Sequence, residues 1–484
     1  MSPSALAKRK GFEGHDVSNF VAKIAYFLMC YSWFFDFRSE GAGSSLGTQQ
    51  FFIIFYLISF INFTISHKDN GVHVRGLGLT IILSLLFILI GTIAGLVSDQ
   101  DVYLIFRNGA NIFIYITMTY ATSKIIVTSG RRQLVNGFIM MTFLYTISTL
   151  IIYYVRQGSI DFDTVRFQII GPSTIAASAL IILSFIYRLP RMGYAAIITS
   201  SLIVFVSVTR TYIVVVLFQF VPLLKDIRKI AGPREFTIAI LLITSIPTIY
   251  VYTEFISNRW EDRVSVQSES EDIDPTLYAR MDEWGFMAEK TFRSPVNVLF
   301  GSGLAAETEY YLPDDISKAK ESDIGFGHSN HFSLIFIAGF IGGLPLLILH
   351  IIQFIQSFKF VSSVFKGRMK DSDVLFLATW GALIIIGTFI ANVLSSSFTN
   401  RGSSMWYAIG TGLFLGGRAC FDPENRQLLL RSIPTFYNQL AVTRRQRLVH
   451  SHSPRKRTNL NPERLPAAVA RRRRALAPHS DGAA

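Results

Sequence analysis

From Gly76 to Ser98 the chain carries no charged residue. Such a segment leaves few ways to fold. About 20 consecutive apolar residues are what an α-helix needs to cross a bilayer. In lipid every backbone N–H and C=O must be satisfied within the segment, so a run of this length is a helix. The pattern recurs: apolar spans are read over 18–37, 49–66, 77–98, 109–127, 134–155, 169–187, 193–209, 211–224, 236–253, 331–355, 374–395 and 403–420. The shortest, 211–224, contains Pro222. The expected fold is all-α, a polytopic integral membrane protein of about 12 transmembrane helices. Composition agrees with that expectation. Charged residues make up 16% of the chain and mean hydropathy is +0.38, whereas a soluble protein carries roughly 25% charged residues. The 41 Phe suit lipid-facing and interfacial surfaces.

Cytoplasmic loops of membrane proteins are enriched in Lys and Arg. With the N-terminus inside, the inside loops carry Lys68 and Arg75; Arg131 and Arg132; Arg188 and Arg191; Lys225, Arg228, Lys229 and Arg234; and Lys359, Lys366, Arg368 and Lys370. All are basic. The largest outside loop, 254–330, holds 16 Asp or Glu against 7 Lys or Arg. The expected organisation is a cytoplasmic N-terminus (1–17), nine helices (18–253), a large periplasmic loop (254–330), three helices (331–420) and a basic tail (421–484). The protein is expected in a bacterial inner membrane, with both termini cytoplasmic.

The net charge of +13 does not point to nucleic acid. Much of the excess lies after Arg418, ending in the run Arg471 to Arg474, with no aromatic or glycine pattern beside it. A basic tail behind a membrane domain reads as a cytoplasmic flank in contact with anionic lipid. Cys30 and Cys420 supply neither a disulfide framework nor a metal cluster.

This topology leaves several arginines on the outer face: Arg107, Arg156, Arg166, Arg210, Arg401 and those of the large loop. Arg210 sits at a tight turn between two apolar spans. An ionisable group there is a functional hypothesis by default, with an interfacial anchor as the alternative. Arginine binds phosphate through a planar fork and stays charged. Histidine can take a proton from an attacking hydroxyl. Three outer segments combine these chemistries: RFQIIGPSTIAAS at 166–178, the Arg210 turn, and the large loop with LFGSGLAAE at 299–307 and GHSNHFSLIFIAGFIGG at 327–343. Such a set suits a lipid-linked pyrophosphate and an activated acceptor. Guanidinium groups can stabilise the leaving charge, so no metal or other cofactor is needed. The alternative is that His328 and His331 only cap the following helix.

The order of these features resembles the O-antigen ligase and Wzy-type polysaccharide polymerase superfamily. The similarity runs from about 160 to 350. It rests on Arg166 before Gly171 and Pro172, the Thr209–Arg210 turn, Arg280 before Trp284, Gly301 and Gly303, and histidine ahead of Gly339 and Gly342. The family usually reads His-Asn where this chain reads His-Ser-Asn-His. Spacing from Gly339 favours His328, and adjacency to Asn330 favours His331. The resemblance implies a GT-C-like, inverting, metal-independent membrane glycosyltransferase acting on an undecaprenyl-pyrophosphate-linked saccharide. Arg166, Arg210 and Arg280 would bind the pyrophosphate, and His328, or alternatively His331, would be the general base. Trp284, Gly301, Gly303 and Asn330 would shape the loop and the substrate site. Trp260, Tyr278, Tyr310 and Tyr311 would contact sugar rings or pack within the loop. A polymerase would work with a flippase and a chain-length co-polymerase. A ligase, transferring finished polymer to lipid A-core, shares the same motifs. A flippase or sugar transporter is the alternative of another class, though the chain shows no repeated halves.

Overall fold

The computed structural model describes residues 18–32, 46–67, 71–128, 131–157, 173–185, 187, 189–206, 210–224, 275–310, 321–324, 326–366, 373–399, 401–422 and 424–425. All lie in one unit, Met1–Leu429. Arg166, the span at 236–253, the loop before 275 and the tail beyond 425 lie outside the described residues.

The fold is mostly helical. We number the helices α1 (18–31), α2 (Leu46–Ser66), α3 (Leu77–Val97), α4 (Val102–Thr128), α5 (Arg131–Gln157), α6 (Ser173–Ser184), α7 (Arg191–Val206) and α8 (Arg210–Leu224). There follow α9 (Pro275–Phe292), α10 (Pro295–Phe300), α11 (Asn330–Ala338), α12 (Leu344–Lys366), α13 (Asp373–Leu394) and α14 (Arg401–Ala419). Among the described residues, four helical stretches are long and apolar enough to cross a membrane: Leu77–Val97, Val102–Thr128, Asn330–Val364 and Asp373–Leu394.

Burial sorts these helices into centre and periphery. In α13, 89% of the apolar window is buried, and in α4, 78%. In α3 only 33% is buried, and Leu79, Ile82, Leu85, Leu89 and Ile93 stand exposed. The centre is therefore α4, α13 and α14, and α3 turns an apolar face outward. Small residues set the close approach at the centre. Gly412 and Gly416 on α14 lie against Thr119–Ser123 of α4, where an added Cβ at Gly416 would stand 2.6 Å from the Ser123 carbonyl oxygen. Buried hydrogen bonds add polar ties between helices, which no water can replace in an apolar layer. Tyr26 and Tyr56 reach Thr122 and Thr117 on α4 at 2.8 and 2.6 Å. Gln219 donates to the Ile175 and Leu383 carbonyls, joining α8 to α6 and α13.

Two spans depart from the sequence reading by more than a few residues. The segment 99–108, read as a loop, is helical from Val102. Asp101 is the reason: its carboxylate accepts from the Tyr103 N–H at 2.8 Å and its carbonyl from Ile105 at 3.0 Å. This capping lets the helix start well before the apolar run, so Arg107 lies within α4. The span read over 331–355 begins at Asn330, is interrupted by a π-helical turn at Gly339–Gly343 and continues to Lys366.

At one end of the bundle lies a layer made from the long loop. Helix α9 leads into α10, which Ser294 caps by accepting from Asn297 N–H, with Pro295 at its first turn. The chain then forms an antiparallel ribbon of β1 (Glu307–Tyr310) and β2 (Glu321–Ile324), with Glu307 opposite Ile324 and Tyr310 opposite Glu321. This short ribbon is the sheet structure found among the described residues of a mostly helical fold. The opposite end carries Arg75, paired with Asp422 and Glu424, and Arg132, paired with Asp373.

Candidate functional site

The segment Gly301–Ala306 is a backbone bracket between the loop layer and the helices. The N–H groups of Ser302 and Gly303 donate to the carbonyls of Phe336 and Ile337 at 2.8 and 3.0 Å. Those carbonyls end α11, where the π-helical turn interrupts the ordinary helical ladder, so they need partners from elsewhere. Leu304 N–H donates to the Gly91 carbonyl at 3.0 Å. Gln100 donates to Ser302 O at 2.7 Å and accepts from Ala305 N at 3.0 Å. Gly301 and Gly303 have φ of 77° and 104°. A Cβ on Gly301 would lie 2.4 Å from the Ile337 carbonyl, and one on Gly303 would lie 2.6 Å from the Gly95 backbone. Both glycines thus fix where the loop docks.

Above this bracket α9 presents Arg280, Glu283 and Trp284 within one turn. Glu283 is fully buried. One carboxylate oxygen accepts from the His328 backbone N–H at 3.0 Å and lies 3.1 Å from His328 Nδ1. The other accepts from the Thr308 hydroxyl at 2.8 Å. Gly327 leaves the room: a Cβ there would stand 2.1 Å from Glu283 Oε1. Burial pushes the Glu283 pKa up. The His328 hydrogen bonds and charge, helped by Thr308, outweigh it and hold the carboxyl below its ordinary value. Held by an anion, Nδ1 of His328 is the protonated nitrogen of the neutral ring, and the lone pair belongs to Nε2. The His328 side chain is 36% exposed.

His331 is held differently. Its Nε2 lies 3.0 Å from the Phe389 carbonyl, which can only accept, so Nε2 carries the proton. The Nδ1 atom is buried and has no partner among the described residues. Its lone pair faces protein. Of the two histidines that the sequence leaves in competition, His328 is the more exposed and the one held by a carboxylate.

The turn after α13 gathers the remaining candidates. Arg280 donates to the Leu394 carbonyl. Asn330, fully buried, donates through its backbone N–H to Ser395 O at 3.0 Å and accepts from the Ser396 hydroxyl at 3.0 Å. Asn392 accepts from the Ser397 hydroxyl at 2.6 Å. The amide nitrogens of Asn330 and Asn392 are buried and unpartnered among the described residues. Arg401 is buried at the start of α14, its guanidinium 5.1 Å from the centre of the Phe52 ring. Trp284 stacks on Phe332 with ring centres 5.0 Å apart.

The structure therefore brings together Arg280, Trp284, His328, Asn330 and the Gly301–Gly303 bracket. Arg210 opens α8, its side chain outside what is described, and Arg166 lies outside altogether. Sequence reasoning missed Glu283, Thr308 and Asn392. Glu283 is one of 16 acidic residues in its loop; its signal was a place one helical turn beyond Arg280. Compared with protein-family models and with curated proteins, the chain matches none.

Proposed function

We propose that the protein is a multi-pass inner-membrane glycosyltransferase that polymerises oligosaccharide repeat units carried on undecaprenyl pyrophosphate. The observation that carries this reading is the buried Glu283 carboxylate holding Nδ1 of a half-exposed His328, with Arg280 one turn away. A carboxylate that orients an imidazole and stabilises its cation makes the other ring nitrogen a competent general base. In the proposed reaction an acceptor hydroxyl loses its proton to His328 Nε2 while its oxygen bonds to the anomeric carbon. The bond from that carbon to the pyrophosphate oxygen breaks, and the electron pair leaves with the pyrophosphate. Attack opposite the leaving group inverts the anomeric configuration. Arg280, with Arg210 and Arg166, would neutralise the leaving charge. The long loop and both reacting groups would face the periplasm, and the basic tail the cytoplasm.

The test uses the full chain in lipid nanodiscs with a lipid-linked repeat unit. Wild type is expected to form polymer. His328→Ala should lower the rate about 10²- to 10⁴-fold, the usual worth of a positioned base, at an unchanged level of inserted protein. His331→Ala should retain most activity. Polymer formation at the wild-type rate by His328→Ala would overturn the reading. In cells lacking the protein, single repeat units should accumulate on the carrier lipid. Long polymer stranded there would indicate transfer of finished chains instead.

A further inference from the structure

Helix α12 turns a polar face into the bundle. His350, Gln353 and Ser357 follow one another at three and four residues, so they share one side of the helix. Each is at most 3% exposed. Both His350 ring nitrogens, Gln353 Oε1 and Ser357 Oγ are buried with no hydrogen-bond partner among the described residues. The facing helices add to the set. Ser84 Oγ on α3 and the Tyr407 hydroxyl on α14 are buried and unpartnered in the same sense. The His350 ring centre lies 5.2 Å from that of Tyr407 and 6.0 Å from that of Tyr115. Gln353 Nε2 donates to the Thr80 hydroxyl at 3.1 Å. Ile90 lies against Gly342 whereas Thr80 meets Gln353, so α3 runs antiparallel to α12 and Ser84 stands near the level of His350.

This face runs toward both ends of the bundle. From His350 to Ser357 the helix rises roughly 10 Å. Ser357 adjoins Gln356, whose amide oxygen accepts from the exposed Arg418 at 2.6 Å. Toward the loop layer, Phe354, one turn from His350, stacks on Phe389 with ring centres 4.5 Å apart. Phe389 in turn packs on His331, also at 4.5 Å. His331 Nδ1 is buried and unpartnered among the described residues, and a charge on His331 is felt at His350. An apolar face would pack more stably here, because each buried polar group without a partner forfeits its hydration. An ionisable side chain in the interior of such a helix marks a pathway or a site by default.

We infer that these atoms line a water wire that carries protons along α12 between the loop-layer end and the Arg418 end, with His350 as its relay. The inference is independent of the reaction proposed above. Water is the ligand that the set selects. It donates to Gln353 Oε1 and to an imidazole lone pair, and it accepts from the hydroxyls of Ser84, Ser357 and Tyr407. An anion needs donors that converge, and a metal ion needs several ligands at one point; here donors and acceptors are strung along a line. A proton that one His350 nitrogen takes from the adjoining water is matched by release of the proton on the other nitrogen to the water beyond, so the ring returns to neutral. His331 Nδ1 is the acceptor at the loop-layer end. The stacked Phe354 and Phe389 narrow the wire between the two histidines and set its slow step. The titratable groups facing His350 among the described residues are His331, Tyr115 and Tyr407. Leu77–Val97 of α3 and 374–394 of α13 carry no charged residue, so no fixed charge from those helices traps the proton.

The test reconstitutes the full chain in liposomes that hold the pH dye pyranine and drives protons inward with a potassium diffusion potential set by valinomycin. The lumen is expected to acidify faster than in protein-free liposomes. His350→Phe should lower the protein-dependent flux about tenfold or more, the effect of replacing a polar group on the wire by an apolar one. Gln353→Leu is nearly isosteric, interrupts the same wire and serves where His350→Phe inserts poorly. A second measurement needs no variant. Brief X-ray radiolysis oxidises buried side chains that touch water, so Tyr407 and His350 should be modified. Trp380, equally buried but packed among Phe138 and Phe376, should not be. Flux no faster than in protein-free liposomes, wild-type flux in both variants, or a Tyr407 as unreactive as Trp380 would overturn the inference. Neither measurement involves a saccharide, so a protein that conducts protons and makes no polymer would remove the proposed function and leave the wire standing.

Discussion

Glu283 and His328 stabilise one another, and the direction of the Glu283 shift fixes how that contribution varies with pH. The folded carboxyl titrates below its ordinary value near 4.5, its hydrogen-bonded and charged neighbours outweighing burial. A group depressed on folding contributes stability that is fully present above its unfolded pKa. That stability is lost as pH falls through the folded value. The 327–333 segment should therefore exchange its amide hydrogens at a constant rate above about pH 5, apart from intrinsic chemistry, and open progressively at lower pH. Glu283→Gln should exchange faster at neutral pH and show no such acid step. An acid step of equal size in that variant would place its origin elsewhere. The same substitution should lower polymer formation by at least about tenfold through loss of the imidazolium's partner. The spacing of the resembled family singles out His328 by its distance from Gly339, and the structure sets that residue against Glu283. Glu283 was not legible, because burial distinguishes it from its acidic neighbours and burial is a property of the packed loop.

Among the elements, the four long apolar helices were legible because bilayer thickness and backbone satisfaction leave one solution for long uncharged runs. Helix starts set by a single polar side chain, such as Asp101 before α4, fall outside that signal. So does the interruption of α11 and α12, where the departure comes from a partner distant in sequence. Gly339, with φ of 59°, faces the Leu299 carbonyl and Gly301 N–H so closely that a Cβ would lie within 2.6 Å of both. Gly301 faces Ile337 in turn. The two glycines form one backbone junction between the loop layer and the bundle. Gly301→Ala must adopt a left-handed backbone and displace main-chain atoms, which should cost about 2–4 kcal/mol. Gly285, in α9, has open space where a Cβ would go. Gly285→Ala should be neutral or stabilising by up to about 1 kcal/mol. Thermal unfolding in detergent separates the two. Equal melting temperatures would show that the junction yields without strain.

At the scale of the whole molecule, the chain ends differ in what they contribute. Asn425, 4% exposed, closes the end of the bundle remote from His328. Its amide nitrogen donates to His73 O at 2.8 Å and to Ala419 O at 3.1 Å, and its oxygen accepts from His73 N at 3.3 Å. Each such bond contributes about 0.5–1.5 kcal/mol when buried. The neighbouring pairs of Arg75 with Asp422 and Glu424 are solvated and contribute little. The sequence placed 67–76 and the tail on one side by charge alone, and it contained no sign that Asp422, Glu424 and Asn425 dock onto that loop. Two truncations should therefore behave differently. Ending the chain after Leu429 keeps Asn425 and its partners and removes most of the basic tail. It should leave both the melting temperature and polymer formation unchanged within error. Ending it after Ala419 removes the docked residues and should lower the melting temperature by several degrees, an effect that Asn425→Ala reproduces in the full-length chain. Activity per folded molecule should survive in both, because the proposed site around His328 stands at the opposite end of α14. Loss of polymer in a stable chain ending at Leu429 would show that the basic tail acts on the reaction across the bundle, and a separate role for it would have to be sought in its contact with anionic lipid.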